Sequence, residues 1–497
     1  MGIVERDSFR ISLIAYAGAV IGYLNKLFLF TNFLTTEQVG LANLIITISL
    51  IYAQVSALGS RNIILRFFPF FNDPKNQHHG FLFGIMAFSL AGFTLTTLLF
   101  ILFRQPLAFL YQDSSPLLVE YAVYVIPLGL ATLFFNLFES YLRCLYNNII
   151  PSVTHEVILR LLVTVSVSLF AVGIISFPEF VTIYVLAYCM PAVILISYTA
   201  IKGWLQVRPA WTPLLRRLAK IMLVYGLYSL LNNLSTFLLI SIDSLMVGGM
   251  IDLGTAGIYT TMIFISSVML IPYRSMVKVS GPLIASYWKM RDMTRMEQVY
   301  KKATAANLVV GATLFLLLWI NLDSVFQFMP PEYQAGRYIF LLLGIGKLFD
   351  MSAGLNATIL TTSRKYRYDL FFTIGMVGFA ILANYLLIPS LGAEGAALAS
   401  MLTLLLFNIV RLVYIYMYFG IQPFEWKHLW VPVLLVLLMV ASGQVDRAPN
   451  MLTDITLRSI IAAALFLLPV WKLRISEDLN LWVGKLLLNI NKYFKRQ

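Results

Sequence analysis

Lys202-Gly203-Trp204-Leu205-Gln206-Val207-Arg208-Pro209-Ala210-Trp211-Thr212-Pro213-Leu214-Leu215-Arg216-Arg217-Leu218-Ala219-Lys220 divides a chain of 497 residues into two long apolar stretches. Its five positive charges and two prolines neither enter a membrane cheaply nor sit inside a helix, so it reads as a connection. Before it lie six apolar runs: Ile11 to Phe33, Leu41 to Gly59, Gly80 to Phe103, Leu118 to Ser140, Val157 to Ile175 and Phe180 to Ile201. After it lie six more: Ile221 to Ile242, Thr255 to Met276, Ala303 to Ile320, Tyr338 to Leu360, Leu370 to Ile388 and Gly395 to Phe419. Leu429 to Ser442, which is short, and Ile455 to Trp471 complete the series. A bilayer core needs about 20 apolar residues per helix, so the sequence predicts an all-α polytopic membrane protein of about fourteen transmembrane helices.

The positive charges order these runs. Of 36 Lys and Arg, only Arg104, Arg337, Arg447 and Arg458, the last at the start of the final run, count toward the odd-numbered gaps, while Lys26, Arg160, Arg274, Lys278, Lys347 and Arg411 lie inside runs or at their edges. The remainder occupy the tails and the even-numbered gaps. Basic loops stay on the cytoplasmic side, so both ends are expected in the cytoplasm. The outer gaps are short, which leaves no room for a folded external domain. Any binding or chemistry is expected among the embedded helices or in the cytoplasmic loops.

Composition agrees. With 60% hydrophobic and 12% charged residues and a mean hydropathy of +0.82, the chain has too little polar material to coat a water-soluble globule. The net charge of +13 sits in short loops beside spans, where it favours anionic lipid headgroups. No basic stripe with interleaved aromatics points to nucleic acid. Cys144 and Cys189 read as small apolar fillers. The first run follows Arg6 and Arg10, lacks a small-residue cleavage site and is long enough to remain as an anchor.

Internal similarity supports two repeats. Val39-Gly40-Leu41-Ala42 opens the second run as Ala256-Gly257-Ile258-Tyr259 opens the eighth, an offset of 217 residues. Leu128-Gly129-Leu130 with Leu133-Phe134 matches Leu343-Gly344-Ile345 with Leu348-Phe349 at an offset of 215. The expected organisation is a six-helix lobe (1–201), the basic linker (202–220), a second six-helix lobe (221–419), a further helix pair (420–475) and an amphipathic cytoplasmic helix (476–497). In that last segment Leu479, Trp482, Val483, Leu486, Leu487 and Ile490 fall at helical spacing opposite Lys485, Asn491 and Lys492.

An ionisable group near the bilayer centre costs at least ~2.5 kcal/mol on insertion scales, so each needs a partner, a wet cavity or a route to the interface. Glu139 with Arg143, and Glu156 with Arg160, stand at i, i+4 and read as mutual neutralisers. Lys347 and Asp350 are three apart, and Asp350 has a basic partner on another helix as its alternative. Asp243 and Asp369 lie near interfaces and require no special role. Lys26 lies two-thirds along the first run beside Tyr23 and Asn25. Arg274 and Lys278 follow Pro272 at i, i+4 with no acidic neighbour in sequence; either they snorkel to headgroups or they line a cavity that receives an anion. Asn232, Asn233, Ser235 and Thr236 interrupt the seventh run, where such groups pack helices together or coordinate a small cation. No G-x-S-x-G, H-E-x-x-H, Walker loop or Cys/His ligand cluster occurs. An enzyme, a bound metal and a cofactor are therefore not expected.

The stretch Asp243-Ser244-Leu245-Met246-Val247, followed by Ala256-Gly257-Ile258-Tyr259, Pro282 and the segment Leu391-Gly392-Ala393-Glu394-Gly395-Ala396-Ala397-Leu398-Ala399, resembles the multidrug/oligosaccharidyl-lipid/polysaccharide (MOP) exporter superfamily. Within it the chain resembles the Wzx-type polysaccharide (O-antigen) flippases. The similarity spans nearly the whole chain and rests on the order and spacing of the motifs. It implies two bundles exchanging inward-open and outward-open states in a bacterial inner membrane. The cargo it implies is an undecaprenyl-diphosphate-linked oligosaccharide. It also implies cations of the first, second and eighth spans that attract the diphosphate; here the matching residues are Lys26, Arg61 and Arg274, with Lys278 one turn beyond. Arg61 falls at the end of its run rather than within it. Coupling to Na+ or H+ would fall to Asn232, Asn233 and Asp350. The partners implied are the lipid-linked glycan, anionic lipids and proteins of polysaccharide assembly. A MATE-like drug/cation exporter would predict a cavity of acidic and aromatic residues, yet the early runs hold Lys26 and no central carboxylate. A membrane-embedded polysaccharide polymerase would bring a large external loop, and an acyltransferase an intramembrane catalytic His; neither is present.

Overall fold

The structure, a computed structural model, describes residues 3–73, 78–205, 212–442, 451–476 and 480. The described residues are helical throughout, with no strand, and they form two compact units, 1–258 and 259–497.

In the first unit the main helices are α1 (Ile3–Leu24), α2 (Thr36–Ala57), α3 (Ser60–Phe71), α4 (Phe81–Leu102), α5 (Arg104–Tyr111), α6 (Pro116–Tyr121), α7 (Val125–Cys144), α8 (Leu159–Ala171), α9 (Phe177–Ile201) and α10 (Pro213–Met250). Helix α11 (Leu253–Ser267) begins in this unit and runs into the second. There follow α12 (Leu270–Met290), α13 (Met293–Ile320), α14 (Arg337–Ser352), α15 (Asn356–Thr362), α16 (Arg367–Phe419), α17 (Trp430–Ser442) and α18 (Met451–Lys472).

Ten helices are long and apolar enough to cross a membrane, and the number rises to twelve when the bent pairs α11–α12 (53°) and α14–α15 (51°) each count as one span. The chain is a multi-pass membrane protein. The count of fourteen read from the sequence is not reached this way, for two reasons. The 53 residues of α16 form one helix by hydrogen bonding, yet Gly392 has non-helical backbone angles (φ 60°, ψ −141°) between the two apolar runs expected there. The apolar helix of Trp426–Ser442 falls short of a full span. Large apolar side chains stand exposed all along these helices, as with Leu102, Val172 and Ile201; lipid rather than water is the medium such a surface matches.

Local chemistry sets the helix ends. Thr35 and Gln38 form a capping box that starts α2, with the Gln38 amide donating to Thr35 Oγ1 at 3.2 Å and the Thr35 amide to Gln38 Oε1 at 3.1 Å. Leu58 and Gly59 both adopt left-handed backbone angles and separate α2 from α3. Helix α10 passes at this break: a Cβ on Gly59 would lie 2.1 Å from the Gly226 carbonyl oxygen, and one on Gly226 would lie 2.8 Å from that of Leu58. The repeated motif meets itself as well. A Cβ on Gly40 would fall 1.9 Å from the Leu253 carbonyl oxygen, and one on Gly257 would fall 2.1 Å from that of Thr36. Small residues let membrane helices approach this closely.

Helix α10, which the sequence reading groups with the second lobe, packs against α2, α3 and α5 of the first unit. Its C-terminal carbonyls are met by the outer segment between α5 and α6. Tyr111 Oη donates to the Leu245 carbonyl at 3.1 Å, Ser114 Oγ to Gly249 at 3.0 Å and Ser115 Oγ to Gly248 at 2.6 Å. A helix end leaves four carbonyls without an intrahelical partner, and these hydroxyls take up part of that deficit. The 206–211 part of the basic linker and, apart from Ser476 and Asn480, the expected amphipathic helix of 476–497 lie outside the described residues.

Candidate functional site

In the first unit the membrane-embedded charges are engaged. Residues Asn25–Leu29 form a π-helical turn that continues α1, a distortion that frees backbone groups and re-aims side chains. Asn25 is buried; its Nδ2 donates to the Arg160 carbonyl at 2.8 Å, and its Oδ1 accepts from Thr164 Oγ1 at 2.8 Å. Lys26, on the same turn, donates to Asn43 Oδ1 of α2 and lies 4.3 Å from the centre of the Phe30 ring. Arg160 pairs with Glu156 at 2.5 Å and donates to the Gly18 carbonyl. The pairing expected between Glu156 and Arg160 is present, and it locks α8 to α1.

Arg61 lies on α3, just beyond the Leu58-Gly59 break. Its guanidinium reaches Glu139 of α7 at 3.2 Å, and Arg143 reaches the other oxygen of the same carboxylate at 2.7 Å. Glu139 therefore serves two arginines, and the sequence-level pair of Glu139 with Arg143 is only half of the arrangement. Asn232 and Asn233 are half-buried on α10. The Asn232 carbonyl accepts from Thr236 Oγ1 at 2.8 Å, an i, i+4 contact within the helix.

The second unit is organised differently. Arg274 and Lys278 are both exposed on α12, beyond the bend that separates it from α11. Among the described residues neither has an ion pair or a hydrogen-bonded side-chain partner. Lys347 of α14 does not pair with Asp350. Its ammonium donates instead to the Ile263 carbonyl at 2.9 Å and to Ser266 Oγ at 2.7 Å, at the C-terminal end of α11, where a cation complements the helix dipole. Asp350 accepts from Asn408 Nδ2 of α16 at 2.9 Å, and Asn408 Oδ1 accepts from Asn356 Nδ2 at 2.7 Å. Tyr273 Oη donates to the Gly354 carbonyl at 3.2 Å, within the break between α14 and α15.

The most enclosed ion pair was not legible in the sequence. Asp369 and Arg411 lie 42 positions apart along α16 and face each other across its kink, at 2.7 Å and 2.8 Å, with both side chains 10% exposed. Arg411 also covers the Phe407 ring at 3.7 Å. The sequence placed Asp369 at an interface with no role. The only signal was Arg411 inside an apolar run, which required a partner without naming it. Lys26 and Arg61 thus belong to the first unit and Arg274 and Lys278 to the second, as Asn232 and Asn233 belong to the first and Asp350 to the second. Among the described residues no group of three or more His, Cys, Asp or Glu is placed to hold a metal ion.

No family model matches the sequence. Among solved structures, the chain is similar to a lipid II flippase, MurJ, in an inward closed conformation, with a TM-score of 0.72 at 12% identity over 92% of this chain and 97% of that one. It is also similar to an inward-facing multidrug resistance MATE family transporter of the MOP superfamily, with a TM-score of 0.57 at 17% identity over 86% of this chain and 96% of that one. The fold is shared with these two transporters. A further MOP transporter, from Pyrococcus furiosus, aligns with a TM-score of 0.51 at 13% identity, covering 86% and 95% of the two chains. In sequence, the chain is 22% identical over 166 residues to the capsular polysaccharide biosynthesis protein CapF of Staphylococcus aureus. That match covers 33% of this chain and 41% of CapF. The resemblance to the MOP superfamily read from the motifs and the similarity of these folds agree.

Proposed function

We propose that the chain is a flippase that carries a polyprenyl-diphosphate-linked oligosaccharide from the cytoplasmic to the outer leaflet of a bacterial inner membrane, with both termini in the cytoplasm. The observation that carries this reading is the pair Arg274 and Lys278. Two exposed cations one helical turn apart on a membrane-embedded helix, with no carboxylate partner among the described residues, leave positive charge available to an incoming anion. A diphosphate offers several oxygens, and a guanidinium grips them bidentately where an ammonium adds a point charge. The closer agreement with a lipid II flippase than with the drug transporters, and the partial likeness to a capsular polysaccharide biosynthesis protein, point the same way.

Lys26 is a further candidate cation in the first unit, held by Asn43, an amide partner that is neutral and easily exchanged. Arg61 is spent on Glu139 and is assigned a structural part. Coupling to Na+ or H+ is assigned to Asp350, whose carboxylate is held by Asn408, with Asn232 and Asn233 as polar lining of the first unit.

The test is flipping of a short-chain polyprenyl-diphosphate glycan in proteoliposomes, alongside retention of the same lipid by the purified protein. Wild-type protein is expected to do both, and Arg274→Ala with Lys278→Ala to lose both while remaining folded. Retention of a cationic drug in place of the glycan lipid would favour a MATE-like exporter. Recovery of a chemically altered lipid would favour an enzyme. Either result overturns the flippase.

A further inference from the structure

One cavity of the second unit is unrelated to Arg274 and Lys278. It encloses about 800 Å³ between α13, α14, α16 and the segment that leads into α17. Its wall is mostly apolar, built from Leu308, Ile345, Leu348, Phe349, Leu405 and Leu429, and its polar lining comes from Lys301, Ser352, Gln422, Glu425, Trp426 and His428. Ile345 is 38% and Leu429 57% exposed, so the cavity opens onto the surface that faces lipid. An apolar space of this size, within the range that takes a small organic ligand, fills with hydrocarbon in a bilayer, where water is excluded.

The mouth identifies the headgroup. Lys301 spends one of its three donors on Glu297 at 2.8 Å, and two remain. The Glu425 amide donates to His428 Nδ1 at 3.2 Å, which leaves the proton of a neutral His428 on Nε2 as a donor. Trp426 is 87% exposed and Trp430 54%, the signature of aromatic residues at a membrane interface. Lys427 and Lys302 add positive charge beside them. The charge alternation of the sequence assigns this end to the cytoplasm, and anionic lipids enrich that leaflet. From Lys301 to Leu308 the groove follows α13 for about 10 Å, at ~1.5 Å per residue. That length suits part of one acyl chain within a leaflet and is too short for the tail of a polyprenyl carrier.

We infer that this groove is a binding site for one anionic phospholipid of the cytoplasmic leaflet, its phosphate at Lys301, His428 and Trp426 and an acyl chain along Leu308, Ile345 and Leu405. The lipid would join α17 to the body of the second unit as an exchangeable part of the core. The inference does not depend on the flippase reading, because its readout needs neither glycan nor transport.

The test is native mass spectrometry of the full chain, delipidated and then exposed to equimolar phosphatidylglycerol and phosphatidylcholine. Wild type is expected to retain one phosphatidylglycerol with roughly fivefold preference, the contribution of about one lysine at an anionic surface. Lys301→Gln should abolish the preference while leaving a lipid bound. Ile345→Trp, which fills the groove from α14, should remove the bound lipid. Leu429→Trp does the same from the opposite wall, and serves if the first variant does not fold. Equal retention of the two lipids by wild type, unchanged stoichiometry in a folded groove-filling variant, or preferential capture of added polyprenyl phosphate would each overturn the assignment.

Discussion

The two units treat their intramembrane charges in opposite ways. In the first, Arg61 and Arg143 share Glu139, Arg160 holds Glu156, and Lys26 leans on Asn43, so each of these cations is spent on a side chain of its own or a neighbouring helix. In the second, the enclosed pair Asp369 and Arg411 and the hydrogen-bonded series Asp350, Asn408 and Asn356 are satisfied, while Arg274 and Lys278 have no ion pair or hydrogen-bonded side-chain partner among the described residues. The same residue types thus bind neighbouring side chains in one place and stand exposed in another. A polar acceptor within reach, a carboxylate for Arg61 and an amide oxygen for Lys26, separates these cases, whereas position within an apolar run does not.

Replacing one member of the most enclosed pair should break the comparison most severely. Asp369→Ala leaves Arg411 uncompensated in a buried site, a change expected to destabilise by about 3–5 kcal/mol; thermal unfolding in detergent should show a large loss, and the double variant Asp369→Ala with Arg411→Met should recover much of it. If the single variant unfolds like wild type, the pair does not hold the two halves of α16 together.

A moderate effect, opposite in kind, is expected for Arg274→Ala. Its unfolding temperature should stay near that of wild type, since no protein partner is lost, while affinity for a diphosphate lipid should fall about tenfold, equivalent to ~1.4 kcal/mol. Arg61→Ala should reverse the pattern, with a small loss of stability and little change in lipid retention. Equal behaviour of the two variants would erase the distinction between the units. The smallest effect belongs to Asp292 and Arg295, an ion pair at 3.3 Å whose arginine is 67% exposed. Removing it should change stability by no more than ~1 kcal/mol, as exposed pairs generally do, and a larger shift would mean that surface charge matters here beyond its geometry.

Helical class, membrane residence and the i, i+4 pairs were legible because each depends on spacing within one segment. Glu156 with Arg160 needed only the pitch of a helix. Arg61 with Glu139, 78 positions apart, and Asp369 with Arg411, 42 apart, depend on how helices turn toward one another, which periodicity does not encode. The bends escaped notice for a related reason. Hydropathy runs evenly through the breaks at 268–269 and 353–355, and the features that stabilise them, Lys347 on the end of α11 and Tyr273 on Gly354, come from other helices. The contacts of segment 104–118 had no signal in the sequence because the partners of Tyr111, Ser114 and Ser115 are backbone carbonyls, which carry no sequence signature.

The contact between Gly40 and Gly257 has a bearing on how this gene can change. Each glycine sits where a methyl group would strike the main chain of the other helix, so the first substitution at either position must push α2 and α11 apart. Once separated, the helices have room for the second. The two positions should therefore behave as a single genetic locus, with either alanine variant impaired, the double variant scarcely worse than one alone, and a strong positive deviation from additivity. Two glycines packed this closely are expected to change together or not at all.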